Sequence, residues 1–101
     1  MKYGLSIENI KSIQEVFKKY PQIDSAILYG SRAKGSYKKG SDVDLTLRGN
    51  SIDLRLISQI SNDLDDLLTP YKFDLSSIDD IENKELLDHI DRVGIEFYTK
   101  N

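Results

Sequence analysis

The sequence predicts an α/β (α+β) fold, a mixed β-sheet flanked by helices in the order α-β-α-β-α-β-α-β. Three observations predict it. Apolar residues recur at three-to-four spacing in some segments and as runs or strict alternation in others. The two kinds of segment take turns along the chain, which places strands under helices. Glycine and proline fall mainly at the joins.

The elements follow in order. Ser6 reads as the N-cap of a first helix whose apolar stripe is Ile7, Ile10, Ile13 and Phe17, and Tyr20-Pro21 ends it. Ile23 to Tyr29 is a buried strand punctuated by Gly30. A polar connection runs from Ser31 to Ser41, with a short helix allowed at its start. From Asp42 to Leu47 the pattern alternates with period two, so Val43, Leu45 and Leu47 share one face and Asp42, Asp44 and Thr46 the other. Ile52 to Leu68 carries an amphipathic stripe stopped by Thr69-Pro70. Tyr71 to Ser77 is a third strand, Glu82 to Arg92 a last helix capped by Gly94, and Ile95 to Tyr98 a last strand.

With 101 residues, 39% hydrophobic and 31% charged, the sequence is one domain's worth, and residues 1–101 read as a single unit without repeat or linker. It contains no cysteine, which excludes disulfides, thiolate metal sites and cysteine nucleophiles. The start lacks an apolar signal stretch and no run is long enough to cross a bilayer, so a cytoplasmic protein is expected. Its net charge is −3 and its pI about 5.1. That balance argues against nucleic acid as the main partner, because binding to phosphates favours a basic excess.

Chemistry concentrates between Tyr29 and Leu45. Gly30 lets the backbone turn and approach a ligand, and Ser31 adds a hydroxyl beside amides that can face an anion. Alone, a Gly-Ser pair reads first as a turn. Asp42 and Asp44 project from the same strand face, where two carboxylates either stand in solvent or share a hard cation such as Mg²⁺. Asp74 joins them if its strand pairs beside theirs, and three carboxylates can hold two metal ions. In an otherwise acidic chain, Arg32, Lys34, Lys38 and Lys39 crowd one loop, and a triphosphate is their natural counter-charge. Arg32 is best suited to bidentate phosphate contact, Lys38 and Lys39 to plain solvation. Ser36 and Ser41 either bind phosphate or cap the turn. Gly-Ser and Asp-x-Asp at one fixed separation arise by chance in roughly one chain per thousand of this size.

Gly30-Ser31, ten residues, then Asp42-Val43-Asp44 resembles the signature of the polymerase-β nucleotidyltransferase superfamily. The fuller string from Gly30 to Ser36 and from Ser41 to Leu45 is similar to its minimal members (MNT), small antitoxin-like partners of helical HEPN toxins. The resemblance implies that Gly30 and Ser31 bind the triphosphate, that Asp42 and Asp44 ligate two Mg²⁺ ions, and that Asp74 completes the metal site and takes the acceptor's proton. It further implies transfer of AMP, from ATP or another nucleoside triphosphate, to a hydroxyl on a HEPN-type toxin protein in a hetero-oligomer. The other reading is a non-catalytic nucleotide-binding module that neutralises its partner by occlusion. His89, the one histidine, reads as a helix-surface or interface residue.

Overall fold

The computed structural model describes all 101 residues. Four helices, α1 (Ile7–Lys18), α2 (Gly30–Lys34), α3 (Leu54–Asp65) and α4 (Lys84–Val93), alternate with four strands. These are β1 (Ile23–Tyr29), β2 (Val43–Gly49), β3 (Phe73–Ser77) and β4 (Ile95–Thr99), and a 3-10 turn, Ile78–Asp80, follows β3. The element order is the one the sequence predicts.

The strands form one mixed sheet ordered β3-β2-β1-β4. Antiparallel neighbours flank β1 on both sides, while β2 and β3 run parallel. A parallel pair needs a crossover, and α3 supplies it. Ala26, Leu28, Val43, Leu45, Leu47 and Phe97 cover one face of the sheet, packed against Ile13, Val16 and Phe17 of α1 and Leu56, Ile60 and Leu64 of α3. A smaller cluster on the opposite face joins Ile27 and Tyr29 to Ile90 of α4, with Ile78, Ile81 and Leu86 at its margin. Period two puts Asp44 and Thr46 on that second, thinly covered face. No helix is long and apolar enough to cross a membrane.

Caps fix where the helices begin. Ser6 Oγ accepts from Asn9 N at 3.1 Å, Asp53 Oδ1 from Leu56 N at 2.9 Å, and Asn83 Oδ1 from Leu86 N at 3.1 Å. The second of these corrects the expected helix 52–68, for Ile52 precedes the cap. Beyond Asp65 the chain leaves the helix through Leu68, which is 91% exposed and stands at φ +55. Leu67 still packs against the core, and that is why the apolar stripe outlasts the helix. Gly94 does cap α4, donating to Ile90 O at 2.8 Å, yet its φ of −59 is not left-handed. Glycine is needed there for closeness, because a Cβ would collide with Ile90 O and press on Ile27.

Candidate active site

Tyr29 closes β1 directly opposite Asp44 of β2. The next residue must therefore pass over the Asp44 side chain. Gly30 does so at φ +74, and a Cβ there would overlap an Asp44 carboxylate oxygen. Glycine meets both demands, the left-handed turn and the close approach. From that turn α2 runs to Lys34 and stops at Gly35, φ +86, where the amides of Gly35 and Ser36 both donate to Ser31 O at 3.0 Å.

Asp74 stands opposite Asp44 across the parallel pair. Asp42 precedes β2 and is exposed, Asp44 is half-buried, and Asp74 is exposed on the edge strand. Register sets Asp44 opposite Asp74 at the start of β2 and β3, and Asp42 lies just before β2. Burial pushes the Asp44 carboxyl up to about 6; Asp74 and then Asp42 push the same way, while Arg32 opposes them. Burial also raises the Tyr29 phenol, with Asp74 and Asp44 adding to it and Ser76 working against it. Two residue pairs further along, Ser76 Oγ donates to Thr46 Oγ1 at 3.0 Å and ties the two strands together beside the acidic pair.

Hard oxygen donors suit a divalent cation, and burial together with the neighbouring Asp74 and Asp42 carboxylates pushes Asp44 up to about 6. Protein atoms alone do not enclose an ion, for no three acidic, histidine or cysteine side chains converge into a cage. Mg²⁺ fits such a half-built set, since it takes one or two carboxylates and completes its octahedron with water and substrate phosphate. The larger surface cavities lie elsewhere, one of about 360 Å³ beside Arg32, Tyr37 and Tyr71.

Arg32 departs from expectation. It is 3% exposed and donates inward, from Nε and Nη2 to Ser41 O at 3.2 and 2.8 Å and from Nη1 to Tyr3 O at 2.9 Å. The rings of Tyr37 and Tyr71 cover its guanidinium, with centroids 5.4 and 5.1 Å away. The planar fork that suits phosphate serves here to tie the loop to the N-terminal segment. Ser41 likewise caps its turn, Oγ accepting from Lys38 N at 2.8 Å. Lys34, Lys38 and Lys39 remain exposed, and the ion pairs of the protein, which involve Lys18, Lys19 and Arg92, leave them free for an anion.

His89 is the residue that sequence reasoning passed over. Its Nε2 accepts from Gly30 N at 3.0 Å, and its ring meets Tyr29 edge-on with centroids 6.3 Å apart. The only sequence signal is its place beside Ile90 on the inward side of α4, which does not name a partner 59 residues away.

A sequence model of the family described as polymerase beta, nucleotidyltransferase, matches residues 11–101. No curated protein sequence matches the chain. Among solved structures, a toxin–antitoxin complex with AMP-PNP is similar at 18% identity and TM-score 0.75, over 92% of this chain and 75% of that one. The complex of a tri-AMPylated Shewanella oneidensis HEPN toxin with its MNT antitoxin is similar at 16% identity and TM-score 0.68, over 92% and 71% of the two chains. The MntA-HepT toxin–antitoxin pair is similar at 15% identity and TM-score 0.69, over 94% and 74%. At these identities the likeness is one of fold.

Proposed function

This chain belongs to the polymerase-β nucleotidyltransferase family, and on that premise we propose that it transfers AMP from ATP, with Mg²⁺, to a hydroxyl of a HEPN-type partner protein in the cytoplasm. The single observation that carries the reading is the register of Asp44 on Asp74 under the Gly30 turn. Support for the partner comes from the similar structures, toxin–antitoxin complexes of which one holds an AMPylated toxin. The protein is then an antitoxin that disarms its toxin by modification.

Asp42, Asp44 and Asp74 would hold Mg²⁺, two ions in the full site, with water and substrate phosphate completing the coordination. Mg²⁺, when bound, neutralises phosphate charge and orients the α-phosphate for in-line displacement. The chain's own part is positioning. The acceptor hydroxyl oxygen forms the new bond to the α-phosphorus, the bond from that phosphorus to the β-phosphate oxygen breaks, and pyrophosphate leaves. Asp74, exposed on the edge strand where a partner can reach it, takes the hydroxyl proton. Gly30 and Ser31 receive the triphosphate, with Lys34 as a free cation nearby.

The test is incubation with the product of the adjacent gene, Mg²⁺ and ATP labelled at the α-phosphate. Label on the partner with the native protein, and none with the Asp42→Asn/Asp44→Asn variant, is the expected result. Tight association without label would replace transfer by simple occlusion of the partner.

A further inference from the structure

We infer that His89 is a positioning residue for nucleotide binding, holding the Gly30 turn on Asp44 by accepting the Gly30 amide hydrogen. The inference rests on the nucleotidyl-transfer reading and adds to it a residue outside the loop and strands that carry the site.

The argument begins with what Gly30 lacks. It opens a helix of one turn, and its N-cap, Tyr29, provides no side-chain hydrogen bond to the first amides. Such amides need a partner from elsewhere. Glycine at φ +74 is also the residue with most freedom to leave that conformation. One side of the turn is limited by the Asp44 carboxylate, against which the Gly30 Cα is packed. His89 Nε2 holds the Gly30 amide, at 3.0 Å.

Packing of α4 and one ring contact fix the imidazole in turn. Its neighbour Ile90 is 4% exposed and locks α4 onto Ile27 and Tyr29. The Tyr29 ring stands nearly perpendicular to it, at 79°. Acceptance at Nε2 places the ring proton on Nδ1, so the histidine serves in its neutral form. α4, which carries none of the expected site residues, thereby sets where α2 begins. Ser31 is the next residue along, and the distance between Ser31 and Asp44 depends on the same turn.

The experiment compares His89→Leu, similar in bulk but without an acceptor, with His89→Gln, whose amide oxygen can accept in the same direction. Hydrogen exchange at the Gly30 amide and the dissociation constant for Mg²⁺-ATP are read on each folded variant. In His89→Leu the Gly30 amide is expected to exchange at least about tenfold faster and Mg²⁺-ATP to bind about tenfold more weakly, the effect of one part-buried hydrogen bond lost. His89→Gln should restore most of both. Unchanged Gly30 exchange in His89→Leu would overturn the inference, as would equal loss of affinity in the Leu and Gln variants. Failure of the native protein to bind Mg²⁺-ATP would sink the nucleotidyl-transfer reading instead, and the exchange rates alone would then uphold or overturn the grip of His89 on Gly30.

Discussion

Asp44 and Asp74 stand opposite each other on the parallel strands β2 and β3, the first half-buried and the second in solvent. Burial of Asp44, with Asp74 adding to it, has a thermodynamic sign. The folded protein keeps a proton on Asp44 to about pH 6, where a free aspartate would release it near 3.8. Between those values the folded state binds more protons than the unfolded one, so stability falls as pH rises. The contribution is complete below about pH 4 and lost by about pH 6 to 7. It amounts to roughly 1–2 kcal/mol, because water reaching the exposed part of the group screens some of the full effect. Asp44→Asn cannot ionise and should escape the loss. Its Tm should match the native value near pH 4 and exceed it by about 4–16 °C at pH 7. Thermal melts across that range decide it, and parallel curves would refute the assignment.

Removing charge from both Asp42 and Asp44 should separate fold from function. Both residues lie at the rim of the sheet, and the core under β2 is made by Val43, Leu45 and Leu47 on the other face. Asp42→Asn/Asp44→Asn is therefore expected to fold with unchanged secondary structure and to lose Mg²⁺-dependent ATP binding. Calorimetric titration measures this directly. Undiminished Mg²⁺-ATP affinity in the variant would remove both residues from the metal site.

Glycine substitutions should rank by what a Cβ meets. At Gly30 an alanine would be strained at φ +74 and would drive into the Asp44 carboxylate, so Gly30→Ala should cost about 2–3 kcal/mol and abolish nucleotide binding. Gly35 has φ +86 with open space around it, so its alanine variant should cost about 1 kcal/mol. Gly40 has neither constraint, and Gly40→Ala should stay within about 0.5 kcal/mol. Chemical denaturation of the three variants gives the ranking, and equal losses at Gly30 and Gly40 would contradict it.

The order of elements, with Gly30 at the end of one strand and Asp42 and Asp44 at the opening of the next, was legible in the sequence because it depends on local rules. Alternation through Val43, Leu45 and Leu47 sets which way the aspartates face, and Ser6, Pro21 and Pro70 mark helix ends. The pairing of β3 beside β2 was conditional there, because Phe73-Asp74-Leu75 alternates equally well on any neighbour. The limits of α3 were misjudged where Ile52 and Leu67 continue an apolar rhythm from outside the helix. His89 and Arg32 were misread for a deeper reason. Each bonds to backbone atoms far along the chain, Gly30 N and Tyr3 O, and no side-chain pattern in a sequence records so distant a backbone partner.

Arg32 allows that last point to be tested. If it is a clamp, its loss should appear as instability before it appears as lost affinity. Three hydrogen bonds to carbonyls and two aromatic faces depend on a planar fork, and lysine has one terminal nitrogen with a different reach. Arg32→Lys should therefore be destabilised by roughly 2–3 kcal/mol, since Ser41 O and Tyr3 O lose partners in a largely buried setting. The folded variant should still bind Mg²⁺-ATP within about threefold of the native protein, because the buried guanidinium donates its bonds inward. Denaturant midpoints and calorimetric affinities on the same preparations separate the two roles. Native stability with affinity reduced tenfold or more would return Arg32 to the phosphate-binding role that its place in a cationic loop first suggested.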